Sequence, residues 1–175
     1  GCKKDPAAIV PATVSASDKS VSGVKLPAPI TYTSFQGSVS TLQPWFGKHF
    51  VLLTPSSELD SKTMDEILKS LDGGYKYYQK VTGREPVKWD PYTIDGRGTI
   101  ASVETTCGGA CGYLGYTGIE MIHPWVMELY NDVKDRGVHH TTLFYEIGRN
   151  FWFYSNKLDY PVDFNMHVST GYSEL

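Results

Sequence analysis

Glu146 and Arg149 stand three positions apart in Thr141-Thr142-Leu143-Phe144-Tyr145-Glu146-Ile147-Gly148-Arg149-Asn150-Phe151-Trp152-Phe153. If that stretch is a helix, the carboxylate and the guanidinium share a face and fall within ion-pairing reach. Arg149 is then a permanent cation: it does not deprotonate, offers only donors, and would repel a dication. Tyr145 adds a phenol, in its neutral form a poor ligand for a metal ion such as zinc. The plain alternative is an exposed i, i+3 pair contributing about 0.2–0.5 kcal/mol. His139 and His140 precede the stretch, with His123 and His167 further off. Adjacent residues on a helix point about 100° apart, so His139 and His140 do not converge on one metal. They read as capping or surface histidines, the alternative being a site assembled from His140 with His123 or His167. No G-x-S-x-G and no phosphate-cradling G-x-x-x-x-G-K is present, which sets aside serine-hydrolase and P-loop chemistry.

The frame Tyr145-Glu146-Ile147-Gly148-Arg149-Asn150 resembles the active-site helix of the zincin metallopeptidases, whose pattern H-E-x-x-H is often continued as H-E-[IL]-G-H-N. Glu146, Gly148 and Asn150 sit where that pattern puts them, while Tyr145 and Arg149 occupy the two histidine positions. In the family the histidines hold zinc and the glutamate acts as general base on the metal-bound water. The resemblance implies that Glu146 is the catalytic glutamate of a site that has lost its ligands, so zinc in the usual mode, or any other cofactor, is not expected. It also implies an α+β fold, with a twisted mixed sheet, an edge strand beside a cleft, an active-site helix beneath it and further packing helices. The gluzincin branch takes its third ligand from a glutamate some tens of residues further on, a range that Glu174 satisfies. Arg149 would then replace the metal electrostatically and tie Glu146 and Glu174 into a network on the cleft floor. The glycine-rich segment 108–118 corresponds to a strand and loop that line the zincin cleft, where Tyr113 and Tyr116 would stack on a sugar or peptide. The alternative is a pinned turn whose tyrosines pack inward.

The start of the chain, Gly1-Cys2-Lys3-Lys4-Asp5, resembles a bacterial lipoprotein just past its signal peptide. That resemblance implies lipidation of Cys2, and the several acyl chains of such proteins suffice for stable anchoring; the alternative is an ordinary thiol. Residues 1–29 are expected to be this N-terminus and a flexible tether rich in Ala, Ser, Val, Lys and Pro, with an edge strand near 12–17 as the alternative. Cys107 and Cys111 are then left to close a small disulfide loop in an oxidising compartment, or to form a C-x-x-x-C metal site that lacks partner ligands.

The net charge of -3, without a Lys/Arg cluster, argues against nucleic acid. No apolar run approaches the roughly 20 residues of a membrane span. The 12 Tyr and 4 Trp suit a surface that binds sugars or peptides, and equally an aromatic core.

Several elements must position these groups within a domain over 30–175. A strand is predicted at 49–54. A helix follows from a cap at Asp60 or Ser61 to about Val81, closed by Gly83, with Met64, Ile67, Leu68, Leu71, Tyr75 and Tyr78 on one face. Gly73-Gly74 inside it predicts a close backbone crossing, since each glycine costs about 1 kcal/mol against alanine there. A turn at Asp95-Gly96 leads to strands at 99–103 and 119–122. Pro124 opens a second helix with Trp125, Val126, Leu129, Tyr130 and Val133 as its buried stripe and Gly137 as its stop. The Tyr145–Arg149 helix is expected to run to about Asn156, and Ser169 or Thr170 to cap a helix starting near the last residues. The functional expectation is an envelope lipoprotein that binds a peptide, glycoprotein or glycan through an inherited cleft and meets the membrane only through its lipid anchor. The alternatives are a hydrolase that uses Glu146 with unusual metal ligands and a purely structural envelope domain.

Overall fold

A computed structural model describes residues 26–154. The expectations for Cys2, Glu174, His167, the tether up to residue 25 and the capped terminal helix fall outside these residues.

The element order is β1 (Ile30–Thr33), β2 (Val39–Phe46), β3 (Phe50–Thr54), α1 (Ser61–Thr82), β4 (Thr93–Ile94), β5 (Arg97–Val103), β6 (Ala110–Gly112), β7 (Ile119–Ile122), α2 (His123–Arg136) and α3 (Thr141–Asn150). The strands form one mixed sheet in the order β1-β2-β3-β5-β7-β6, with β4 paired to β5 off this path. β3, β5 and β7 run parallel, and β6 lies antiparallel to β7 at the end of the sheet. The chain leaves β5, lays down β6, then returns to insert β7 between them.

Strand alternation divides the core into two layers. Phe50, Leu52, Ile100, Ile119 and Met121 point to the face covered by the three helices, joining Ile67, Leu71, Leu129, Leu143, Ile147 and Phe151. Val51, Leu53, Ala101 and Val103 point to the other face, where Tyr32, Leu42 and Tyr92 bury them. Because both faces are covered, the central strands carry apolar residues at successive positions, the pattern of a strand buried on both sides.

α1 follows the expectation closely. Asp60 caps it by accepting from the Thr63 amide at 2.8 Å, and Gly83 ends it at φ 66°, a left-handed conformation that glycine adopts without penalty. The paired glycines behave differently from one another. A Cβ on Gly74 would lie 2.8 Å from the Phe144 ring, so the crossing there is with a side chain of α3, whereas a Cβ on Gly73 would meet nothing within 4 Å. The Asp95-Gly96 turn joins β4 to β5, with φ of 50° and 76° at its two residues. That is the pair of positive φ values a tight hairpin needs.

α2 ends at Gly137 as expected, but Trp125 is not part of its buried stripe. It is 42% exposed and lies across the backbone of Gly109, where a Cβ would come within 2.1 Å of the indole. The ring shields the loop between Cys107 and Cys111, and these two cysteines are joined in a disulfide. α3 stops at Asn150, six residues before the expected end. The Gly115 amide donates to the Arg149 carbonyl at 3.1 Å, and the Phe151 and Trp152 amides turn back onto the last carbonyls of the helix. Phe151 and Trp152 are thereby buried, and that packing ends the helix where periodicity alone would extend it.

Candidate functional site

α3 lies beside the edge strand β6, and its inward face is Leu143, Glu146, Ile147, Gly148 and Asn150. Leu143 and Ile147 enter the helical core. Glu146, one position before Ile147, is turned instead toward Gly112 of β6. The approach is tight: a Cβ on Gly112 would meet the Glu146 carbonyl oxygen at 2.8 Å and its Oε2 at 3.0 Å. Only glycine lets strand and helix come this close.

Four hydrogen bonds fasten the helix to the strand and the loop after it. Arg149 Nε donates to the Gly112 carbonyl at 3.2 Å. Asn150 Nδ2 donates to the Tyr113 carbonyl at 2.9 Å and the Gly118 carbonyl at 3.3 Å. The Gly115 amide closes the set by donating to the Arg149 carbonyl. Asn150 and Arg149 therefore act as backbone clamps, a role that their positions in the motif did not predict.

Glu146 is 4% exposed, and its Oε2 lies 3.4 Å from Arg149 Nε. That nitrogen directs its hydrogen bond to Gly112, so the pair is held by charge rather than by a shared proton, and buried Oε2 meets no hydrogen-bond donor among the described residues. Burial pushes the Glu146 carboxyl above its ordinary range, and Arg149 followed by the Gly112 amide offsets only part of that shift. Lifting a carboxyl toward neutral pH is one way proteins prepare a proton acceptor. The Arg149 guanidinium sits 6.0 Å from the centre of the Tyr145 ring, at the outer limit of a cation–π contact.

The residues at the two ligand positions do not fit zinc. Tyr145 supplies a phenol, and Arg149 places a guanidinium, with donors only, within 3.4 Å of the carboxylate that would serve the metal-bound water. Among the described residues, one group of three side chains could meet on a single ion: Glu128, Asp132 and His140, away from this helix face. His140 occupies the N-cap position of α3 without a capping bond and hydrogen-bonds Asp132 instead. His123 shares a hydrogen bond of 2.7 Å with Ser102, and His139 is half-buried.

The two tyrosines of the glycine-rich segment part ways. Tyr113 is half-buried and packs inward, its ring centroid 4.2 Å from Phe35 and 4.6 Å from Trp89. Tyr116 is 47% exposed and leans edge-on to Trp89 at 6.2 Å. Exposed Val87 and Leu114 lie on the same stretch of chain as this aromatic group or are bridged to it, Val87 pairing with Tyr116 through an isolated β-bridge.

A second buried carboxylate escaped the sequence reading. Glu120 of β7 is fully buried on the sheet face opposite the helices. Its Oε1 accepts from the Tyr32 hydroxyl at 3.0 Å and the Phe35 amide at 2.7 Å, and its Oε2 accepts from the Thr106 hydroxyl at 2.9 Å. Burial raises its pKa, while these three donors favour the ionised form. The same burial, with the neighbouring Glu120 charge, drives the Tyr32 phenol well above its usual value. A signal existed in Ile119-Glu120-Met121: alternation puts Glu120 on the face opposite Ile119 and Met121, but nothing local says that this second face is covered. No family model, curated protein or solved structure matches the chain, so the chemistry of the site itself carries the functional reading.

Proposed function

We propose that this domain is a binding or scaffold module built on a zincin-like, gluzincin-type architecture, in which Arg149 stands where a metal would be. The observation that carries this reading is the Glu146–Arg149 pair, buried against Gly112 of an edge strand that runs antiparallel to its neighbour. A fixed cation beside the carboxylate keeps a charged cleft floor without a metal-bound nucleophile. The ligand class that suits the site is a peptide, glycoprotein or glycan, met by exposed Tyr116 and by the polar edge of β6. The disulfide between Cys107 and Cys111 accords with an oxidising compartment. A bacterial lipoprotein anchored through Cys2 at the cell envelope, contacting the membrane by lipid alone, is the location this reading assigns.

The test is a peptide and glycan array probed with the full chain, followed by affinity measurements on any ligand retained. Tyr116→Ala and Arg149→Met are expected to weaken binding by at least about tenfold, as loss of a buried or aromatic contact does. A chain that retains no peptide or glycan leaves the purely structural reading in place. A second reading, a hydrolase with Glu146 as its base, draws on the raised pKa of that carboxyl. Hydrolysis of a peptide or glycan that is lost in Glu146→Gln, together with stoichiometric zinc that survives dialysis and persists in His140→Ala, would establish it and overturn the pseudoenzyme.

A further inference from the structure

Glu128 and Asp132 are one turn apart on α2, so their carboxylates share a face of that helix. The chain leaves α2 at Gly137 and doubles back, which brings His140, the residue just before α3, onto the same face. One ligand atom from each of the three side chains lies within 4.8 Å of both others. His140 Nε2 is already hydrogen-bonded to Asp132 Oδ2, while Asp132 Oδ1 accepts from Arg136 Nε at 3.1 Å. The aspartate therefore divides its two oxygens between a fixed cation and the imidazole.

Beside these groups is a cavity of about 260 Å³ between α2, β7 and the start of α3, lined by Met121, Trp125, Glu128, Leu129, His140 and Thr142. Two of the three ligating side chains thus form part of the cavity wall. Apolar Met121, Trp125 and Leu129 make up much of the remainder, an arrangement in which a few polar groups converge at one end of a partly greasy pocket.

We propose that Glu128, Asp132 and His140 form a site for a divalent transition-metal ion such as zinc, with the coordination positions left open by the protein facing this cavity. The ligand set, one imidazole and two carboxylates, is of the nitrogen and oxygen type that zinc accepts with three protein groups and an open fourth position. Zinc–ligand bonds of roughly 2.0–2.2 Å place ligand atoms about 3.3–3.5 Å apart. The present spacing is reached from that arrangement by small side-chain rotations, chiefly of exposed Glu128. On binding, the ion takes the Nε2 lone pair in place of the hydrogen bond to Asp132, and the neutral imidazole carries its one proton on Nδ1. Arg136 keeps its hold on Oδ1, orienting the carboxylate as an outer partner of the site. The inference is independent of the reading of the α3 motif, which it neither needs nor supports.

Calorimetric titration of the full chain with zinc, after stripping with a chelator, tests it. Saturable binding of one ion per chain is expected, with His140→Ala and Glu128→Gln each weakening it by at least about tenfold. Both variants are expected to fold: Glu128 is exposed, and His140 makes no capping bond to α3. Unchanged circular dichroism would confirm that. Glu146→Gln is the companion control and should bind zinc as the wild type does. Absence of saturable binding, or binding that survives either His140→Ala or Glu128→Gln, overturns the site, and binding lost only in Glu146→Gln moves the metal to α3.

Discussion

Two buried carboxylates flank the short strand β6, and they are treated in opposite ways. Glu120 pairs across the ladder with Cys111 and receives three donors, so every part of its charge is answered by the fold. Glu146, on the helix that packs beside Gly112, has one cation at 3.4 Å, the Gly112 amide, and an Oε2 that meets no donor among the described residues. Fully satisfied buried groups specify a structure, whereas partly satisfied ones are where proteins keep reactivity or await a ligand. The comparison marks Glu120 as architectural and Glu146 as the group left for something else.

The largest expected effect is on the architectural side. Glu120→Ala strands the Tyr32 hydroxyl, the Phe35 amide and the Thr106 hydroxyl, and should lower stability by about 3 kcal/mol or more in urea unfolding. A loss below about 1 kcal/mol would mean that these donors find water, and the contrast with Glu146 would collapse. Arg149→Met comes next. It removes the cation from a buried carboxylate, and about 1–2 kcal/mol is expected rather than the ~3–5 kcal/mol of a fully enclosed pair, because Arg149 keeps a quarter of its side chain exposed. No loss of stability and no loss of ligand binding would remove Arg149 from any role as a substitute for metal.

The smallest effect is the most discriminating. Glu146→Gln discards a desolvated charge and should be neutral, or stabilising by up to about 1 kcal/mol, near pH 7. Burial holds the folded-state pKa of Glu146 above its unfolded value. Below the ordinary glutamate pKa, about 4.3, the group is protonated in both states and costs nothing. As pH rises from there toward the raised value, the unfolded chain ionises first and wild-type stability falls. The advantage of Glu146→Gln over wild type should therefore grow across that window in urea titrations at stepped pH. A pH-independent difference would show that Glu146 does not titrate as a buried, poorly partnered acid.

How far the sequence foretold this contrast depends on how local the determinants are. α1 was legible from its stripe and from its caps at Asp60 and Gly83, because both signals lie inside the element itself. The pairing of Glu146 with Arg149 was legible for the same reason, being set by helical spacing. β1 and β2 were not, since residues such as Ser40, Thr41 and Gln43 carry no strand signal until the edge they pair with is known. β6 is three residues long within a glycine-rich run, and its role as the wall against α3 rests on Gly112 meeting a helix more than thirty residues away. Glu120 was missed because its partners come from positions 32, 35 and 106. Trp125 was misplaced because the loop it covers is distant in sequence, whereas the Cys107–Cys111 disulfide was found because both cysteines are near neighbours.

Asn150 holds the Tyr113 and Gly118 carbonyls with one amide nitrogen. The loop between them is thus a ring closed at its base, and its clasp belongs to α3 rather than to the loop. Its closure entropy is already spent in the folded protein, so Tyr116 at the rim is held ready and need not be recruited. A ligand that levers the rim must strain the same helix turn that carries Arg149. Exposed Tyr116 and the buried Glu146–Arg149 pair are in this way mechanically joined, with no moving part between them.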